Sequence, residues 1–282
     1  MAKIKELFGY SCADKKIDWK LIVKDQNCPF TGRHCIKKRK SEPEVAIGTC
    51  TIEYSRFPDG IVICPFRLIE NNQIFIDCLH LLTGHVPGNE IHIVPEVSIP
   101  GGNVDYFLVS ADSNKQISDF VGIELQAMDT TGTLWPERQV LLKGLGLVDS
   151  SIDVKNKSYG INWKMTAKTI LVQLHHKIKT FEALNKHLVL VAQDCLLDYI
   201  KGEFSFSHIS DYAKLNEAMH FHAYVLKEDA QSLKLTLSQR YSTNSDGVSK
   251  LLGLNTNPNV DLRAIIKSLE SKMSEKTRLH LG

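Results

Sequence analysis

Seven cysteines in 282 residues, four of them between Cys28 and Cys64, constrain this chain more than any other feature. An odd number cannot all pair as disulfides, and clustered thiols in a chain without a secretory pattern favour metal ligation over a disulfide framework. The start, Met1 to Tyr10, carries Lys3 and Lys5 but no continuous apolar stretch and no small-residue cleavage site, so a cytoplasmic location is expected. Six residues separate Cys28 from Cys35, fourteen separate Cys35 from Cys50, and thirteen separate Cys50 from Cys64, which is not zinc-finger spacing. Four thiolates nonetheless suit a tetrahedral ion, and zinc and iron fit equally well. Cys28 and Cys64 are each followed by Pro and Phe, and a proline after a ligand fixes the turn that brings the thiolate round. The alternative is that these are scattered buried cysteines acting as small hydrophobes. Cys12, Cys78 and Cys195 read as free thiols.

Several function classes are excluded by what the chain lacks. Its longest apolar runs, such as Val140 to Leu142 and Leu188 to Ala192, fall far short of the roughly 20 residues that span a bilayer, so no membrane association is expected. There is no phosphate-binding Gly-Lys-Ser/Thr loop and no dinucleotide fingerprint, and Gly144 and Gly146 are too isolated to cradle phosphate. No nucleotide cofactor is expected. A formal charge of +2 does not announce a nucleic-acid partner, so any DNA site must come from charge placement.

Residues 1–85 read as a loop-rich, metal-nucleated module that also contacts DNA. Residues 86–205 read as an α/β catalytic core. Residues 206–282 supply strands and a helix that complete the core or a dimer interface. Short apolar runs bounded by turn residues predict strands at Ile91 to Ile99, Val104 to Ser110 and Phe120 to Met128. Trp163, Ala167, Ile170, Leu171, Leu174, Ile178 and Phe181 recur at three- and four-residue spacing and predict a helix from Trp163 to Leu184. Lys164, Lys168, Lys177 and Lys179 read as lying largely outside that apolar stripe. Further strands are expected at Leu188 to Ala192, Phe221 to Leu226 and Leu233 to Leu237. A turn-rich stretch from Ser242 to Asn259 and a final helix from Asp261 to Met273 follow.

Asp105 stands directly before an apolar strand, and Glu124 and Gln126 lie two apart on the next one, so the polar pair shares a face while Ile123, Leu125 and Ala127 point to the core. Asp105 and Glu124 can together hold magnesium, which takes one or two carboxylates and keeps its other positions for water and phosphate oxygens. That is the minimum for metal-assisted phosphodiester hydrolysis, with Gln126 orienting the water. The competing reading is three solvent-facing residues on an ordinary half-exposed sheet.

Set side by side, the two constellations resemble the NotI restriction endonucleases. The cysteine pattern follows that family's order: Cys28-Pro29-Phe30, then Cys35 with Lys37 two residues on, then Cys50, then Cys64-Pro65-Phe66-Arg67. So does the acidic stretch, Glu96 to Ile99, Asp105, and Glu124 to Asp129. The resemblance implies a PD-(D/E)XK nuclease core, a central mixed sheet flanked by helices, joined to an N-terminal four-cysteine module. It implies Asp105 and Glu124 as metal-binding acids, Gln126 as the water-orienting residue and Glu96 as a further acid. In most enzymes of that type a lysine stands where Gln126 does here. It also implies a structural iron at the cysteines and a homodimer that cuts both strands of a palindrome.

The basic run with Arg33, Lys37, Lys38 and Arg39 lies between two candidate ligands and would be held as a phosphate-contacting loop, or would be a solvated surface. Lys164 and Lys168, one turn apart, are candidates for the scissile-strand backbone or a soluble helix face. The histidines, including His175, His176, His220 and His222, read as structural or surface residues. The leading function is a magnesium-dependent, sequence-specific endonuclease of double-stranded DNA. The alternatives are a non-catalytic DNA-binding or regulatory protein, and a structure-specific nuclease of repair or recombination.

Overall fold

The structure is a computed structural model that describes residues 4–54, 56–148, 159–229, 232–254 and 262–273. The first 85 residues are not loop-rich. β1 (Ile4–Leu7), β2 (Tyr10–Ser11), α1 (Trp19–Asp25), β3 (Asn27–Cys28), β4 (Arg33–His34), β5 (Lys38–Arg39), β6 (Glu42–Ala46), β7 (Thr49–Tyr54) and β8 (Phe57–Val62) follow one another, and β2-β1-β7-β8 form an antiparallel sheet. β3 pairs with β4 and β5 with β6 as small hairpins. These strands are two to six residues long and interrupted by Lys, Glu and Pro, so no apolar alternation runs far enough to announce them. 3-10 turns over Pro65–Asn72 and a short helix, α2 (Gln73–Cys78), carry the chain onward.

The central sheet has six strands in the order β16-β15-β14-β11-β10-β9. β9 (Glu90–Ile99), β10 (Gly102–Ala111) and β11 (Ile117–Gln126) form an antiparallel meander. β12 (Thr130–Thr131), α3 (Trp135–Gly144), β13 (Gly160–Ile161) and α4 (Trp163–Ala183) then lead to β14 (His187–Gln193), which pairs parallel with β11. α5 (Asp194–Glu203) crosses to β15 (Met219–Asp229), parallel to β14, and β16 (Ser232–Thr243) closes the edge antiparallel. Parallel neighbours need a crossover, and α4 and α5 supply the two. The fold is a mixed α/β sheet with helices on it.

β14 is buried along its whole length, as expected of a central strand covered on both faces. One face packs under α4, α5 and α6 (Ser245–Leu251) through Phe107, Leu171, Leu174, Phe181, Leu190, Leu197 and Val248. The other packs under Leu68, Ile74, Phe75 and Leu81 through Leu108, Ile123, Leu125 and Val191. Gln193, at the end of β14, accepts from the Val62 N–H at 2.9 Å and donates to Gly60 O at 2.9 Å, which fixes β8 against the central sheet.

One expectation near the C-terminal end changes. The segment expected as turns from Ser242 holds the end of β16 and the helix α6, whose cap, Asn244, accepts from Gly247 N at 2.9 Å. Asn, Ser and Asp there cap a helix instead of making turns. Positions 255–259 of that stretch, and Asp261, lie outside the described residues, and the last helix is α7 (Leu262–Glu270). Among the described residues no helix is long and apolar enough to cross a membrane.

Candidate functional site

The ladder between β10 and β11 stops at the pair Tyr106–Ile123. Beyond it the Asp105 carboxylate accepts the Leu125 N–H at 2.8 Å, so a side chain takes over the role of a backbone partner and the two strands part. On β11, Ile123 and Leu125 belong to the core beneath the sheet, whereas Gly122 faces α4 so closely that a Cβ there would lie 2.3 Å from the Phe181 ring. Glu124 shares the Gly122 face and is only 3 % exposed. Between the parted strands and α4 lies a cavity of about 350 Å³ lined by Asp105, Glu124, Asn103, Gln173 and Lys177, with Gly101 and Gly102 at its rim.

Lys177 was expected outside the apolar stripe of α4. It lies within it, 5 % exposed, three residues after Leu174 and seven after Ile170. Its ammonium reaches Glu124 Oε1 at 2.6 Å, a buried pair in which each charge offsets the other. The hairpin between β9 and β10 presses on the helix here. Gly101 has φ +102° and a Cβ on it would stand 2.3 Å from His176 O, so only glycine allows this approach.

Burial, against the lowering effect of Lys177 and with a smaller push from the Asp105 charge, raises the Glu124 carboxyl to about 7. Burial also raises Asp105, while the Leu125 N–H and Lys177 lower it and Glu96 raises it. The pairs Val104–Val97 and Tyr106–Pro95 put Glu96 across from Asp105 on β9, exposed and with φ +51°. Gln126 is not among the cavity-lining residues; its amide donates to Ala127 O at 2.5 Å.

The four cysteines meet in space. Cys28 at the end of β3, Cys35 after β4, Cys50 in β7 and Cys64 after β8 all line one cavity of about 340 Å³, with Lys37, Phe8, Pro65 and Phe66 around them. Cys64 is brought down to about 6, first by the Cys50 thiol that hydrogen-bonds to it and then, against burial, by the N–H of Phe66, the Lys37 charge and the N–H of Arg67. Cys50 is correspondingly raised, by that bond and by burial. The donors are those a thiophilic ion needs. Among the described residues, however, no three His, Cys, Asp or Glu side chains are arranged as they stand to hold a metal ion.

Of the candidate DNA-contacting residues, Arg33, Lys38, Lys164 and Lys168 are exposed. Lys37 is turned inward, donating to Ile63 O at 3.4 Å beside the cysteines. Arg39 is held by Glu42 and lies 4.1 Å over the Trp135 ring.

A sequence model of the family described as restriction endonuclease NotI matches residues 20–237. The chain belongs to the NotI restriction endonuclease family. No curated protein matches it. The matched stretch holds all four clustered cysteines, the meander with Glu96, Asp105 and Glu124, and the whole of α4, and it leaves out α6 and α7. Membership in the NotI family carries that family's general activity, endonucleolytic cleavage of double-stranded DNA.

The residues that sequence reasoning missed are Lys177, Gln173 and Asn103. Lys177 carried a signal, since its spacing from Ile170 and Leu174 sets it on the buried face of the helix.

Proposed function

We propose that the protein is a type II restriction-type endonuclease with a PD-(D/E)XK core, hydrolysing phosphodiester bonds of double-stranded DNA at a specific sequence with magnesium. The observation that carries this reading is the pair of carboxylates, half-buried Asp105 and buried Glu124, facing one cavity where β10 and β11 separate. The acids sit on two antiparallel strands of a meander followed by a helix and a parallel strand, which supports the core assignment.

Asp105 and Glu124 are the residues that would hold magnesium, and two carboxylates in a water-accessible cavity fit that ion. When bound it supplies the charge that activates a water and stabilises the extra negative charge at phosphorus. Asp105 is oriented by the Leu125 N–H and Glu124 by Lys177, so both carboxylates are fixed before substrate arrives. Gln126 would orient the attacking water from the Glu124 face, releasing Ala127 O to do so. Glu96 would add a further acid opposite Asp105.

Cys28, Cys35, Cys50 and Cys64 would hold a structural iron or zinc, and the shared cavity supports this. Arg33, Lys38, Lys164 and Lys168 would contact phosphates, with Lys37 and Arg39 bracing the loop. A homodimer would bring two such sites to the two strands of a palindrome.

The test is incubation of unmethylated phage and plasmid DNA with the protein, with magnesium or EDTA, beside Glu124→Ala. Discrete fragments that need magnesium and vanish in Glu124→Ala are expected. Absence of cleavage on DNA carrying all short palindromes would overturn the reading.

A further inference from the structure

A lysine in the apolar stripe of a helix is an anomaly that needs a cause. Charged groups are rarely buried unless paired, and a hydrophobic residue at position 177 would complete the stripe of Ile170, Leu174, Ile178 and Phe181 without any desolvation. The Lys177 ammonium is instead directed at Glu124, and it also faces the cavity that Glu124 and Asp105 line. Among the described residues lining that cavity Lys177 is the one cation, against two carboxylates. A phosphodiester anion approaching two acids needs positive charge already in place, and the strand that carries Glu124 offers only the neutral Gln126.

We propose that Lys177 is a catalytic residue of this centre, with its ammonium shared between Glu124 Oε1 and a non-bridging oxygen of the scissile phosphodiester. This rests on the nuclease reading above. Lysine has three donors, so the bond to Glu124 leaves two for the phosphate. The contact to Glu124 uses Oε1, which leaves Oε2 for a cation. In the reaction the water oxygen forms a bond to phosphorus as the P–O3′ bond breaks. The water proton passes to solvent, the 3′ oxygen takes a proton from solvent, and Lys177 stays protonated, stabilising the charge that builds on the phosphate. The hairpin sets the aim of the side chain: a Cβ at Gly102 would lie 3.4 Å from Lys177 Cε, so the lysine stem runs along glycine backbone.

The experiment compares wild type with Lys177→Met, Lys177→Gln and Lys177→Arg for kcat and KM on duplex DNA at saturating magnesium, with thermal unfolding recorded for each. Gln can still donate to Glu124 but carries no charge, so it separates the charge from the packing. Met and Gln are expected to lower kcat by roughly 10² to 10³-fold with KM within about threefold, as for loss of a preorganised donor to a transition state. Arg is expected to retain at least about ten times the kcat of Met. Wild-type kcat in the folded Gln variant, or a loss confined to KM, would overturn the proposal. If wild type cleaves and Glu124→Ala does not, while both neutral Lys177 variants cleave normally, the nuclease reading stands and this one alone falls. If wild type cuts no DNA, both fall.

Discussion

Arg67 is fully buried, and its Nε donates to both carboxylate oxygens of Glu6, at 3.0 and 2.9 Å. The guanidinium also reaches Glu70 at 2.7 Å and the Leu233 carbonyl at 2.5 Å. One side chain thus joins β1, the segment after the last clustered cysteine, and β16. Arg67→Ala would leave Glu6 buried without its cation, and breaking one side of such a pair costs about 3–5 kcal/mol. Urea denaturation should register a loss of that size. A change below about 1 kcal/mol would mean that the clamp contributes nothing net.

The pH dependence of metal binding follows from Glu124. Its carboxyl, raised to about 7 mainly by burial, must be ionised to hold a cation. Acid therefore competes with metal, and the sign is a weaker magnesium requirement as pH rises. From pH 6 to pH 8 the ionised fraction at that value grows about tenfold, so the magnesium concentration for half-maximal cleavage should fall on the order of tenfold. Titrating cleavage against magnesium at both values checks this, and a flat response would place the controlling group elsewhere.

Regular patterning made the central sheet legible before any coordinates. Ile91 to Ile99, Val104 to Ser110 and the stripe from Trp163 to Phe181 had enough length for a period to be read, and β9, β10 and α4 formed there. The N-terminal sheet gave no such signal, because β1, β7 and β8 are short and are tied down by Arg67 and Gln193, which bond to β1 and β8 from 61 and 131 residues away. At the candidate site, Asp105 and Glu124 were readable as acids on neighbouring strands. Lys177 was passed over because charge argues for solvent, although its spacing from Ile170 and Leu174 sets it on the buried face, where Glu124 stands opposite the helix.

Gly101 should be the least replaceable residue of the hairpin. Alanine there meets His176 O at 2.3 Å and must hold φ at +102°, which strains both the turn and α4. Gly32, with φ +65° and nothing within 4 Å of a Cβ, carries only the conformational cost, about 1 kcal/mol for alanine. Gly101→Ala is therefore expected to lower the unfolding midpoint well beyond Gly32→Ala and to depress cleavage, because the displaced helix segment carries Lys177. Equal midpoints for the two variants would show that the hairpin does not press on α4 in solution.

The cysteine cluster makes a prediction in which the ion and the fold can be separated from the cutting chemistry. Cys28, Cys35, Cys50 and Cys64 come from four different elements of the N-terminal module, so an ion held by all four would tie β3, the turn after β4, β7 and the 3-10 turns together. About one iron or zinc per chain should therefore copurify with the protein, by elemental mass spectrometry, since structural sites of this donor type bind tightly. Cys50→Ser should lose the ion and lower the unfolding midpoint, because Cys50 is buried and lines the same cavity as Cys28, Cys35 and Cys64. Cys195→Ser, at a buried cysteine on α5 away from that cavity, should keep the full metal content even if it perturbs packing. Metal content unchanged in Cys50→Ser would argue that the four thiols are separate buried side chains, and the N-terminal module would then owe its stability to Phe8, Trp19 and the Arg67 clamp.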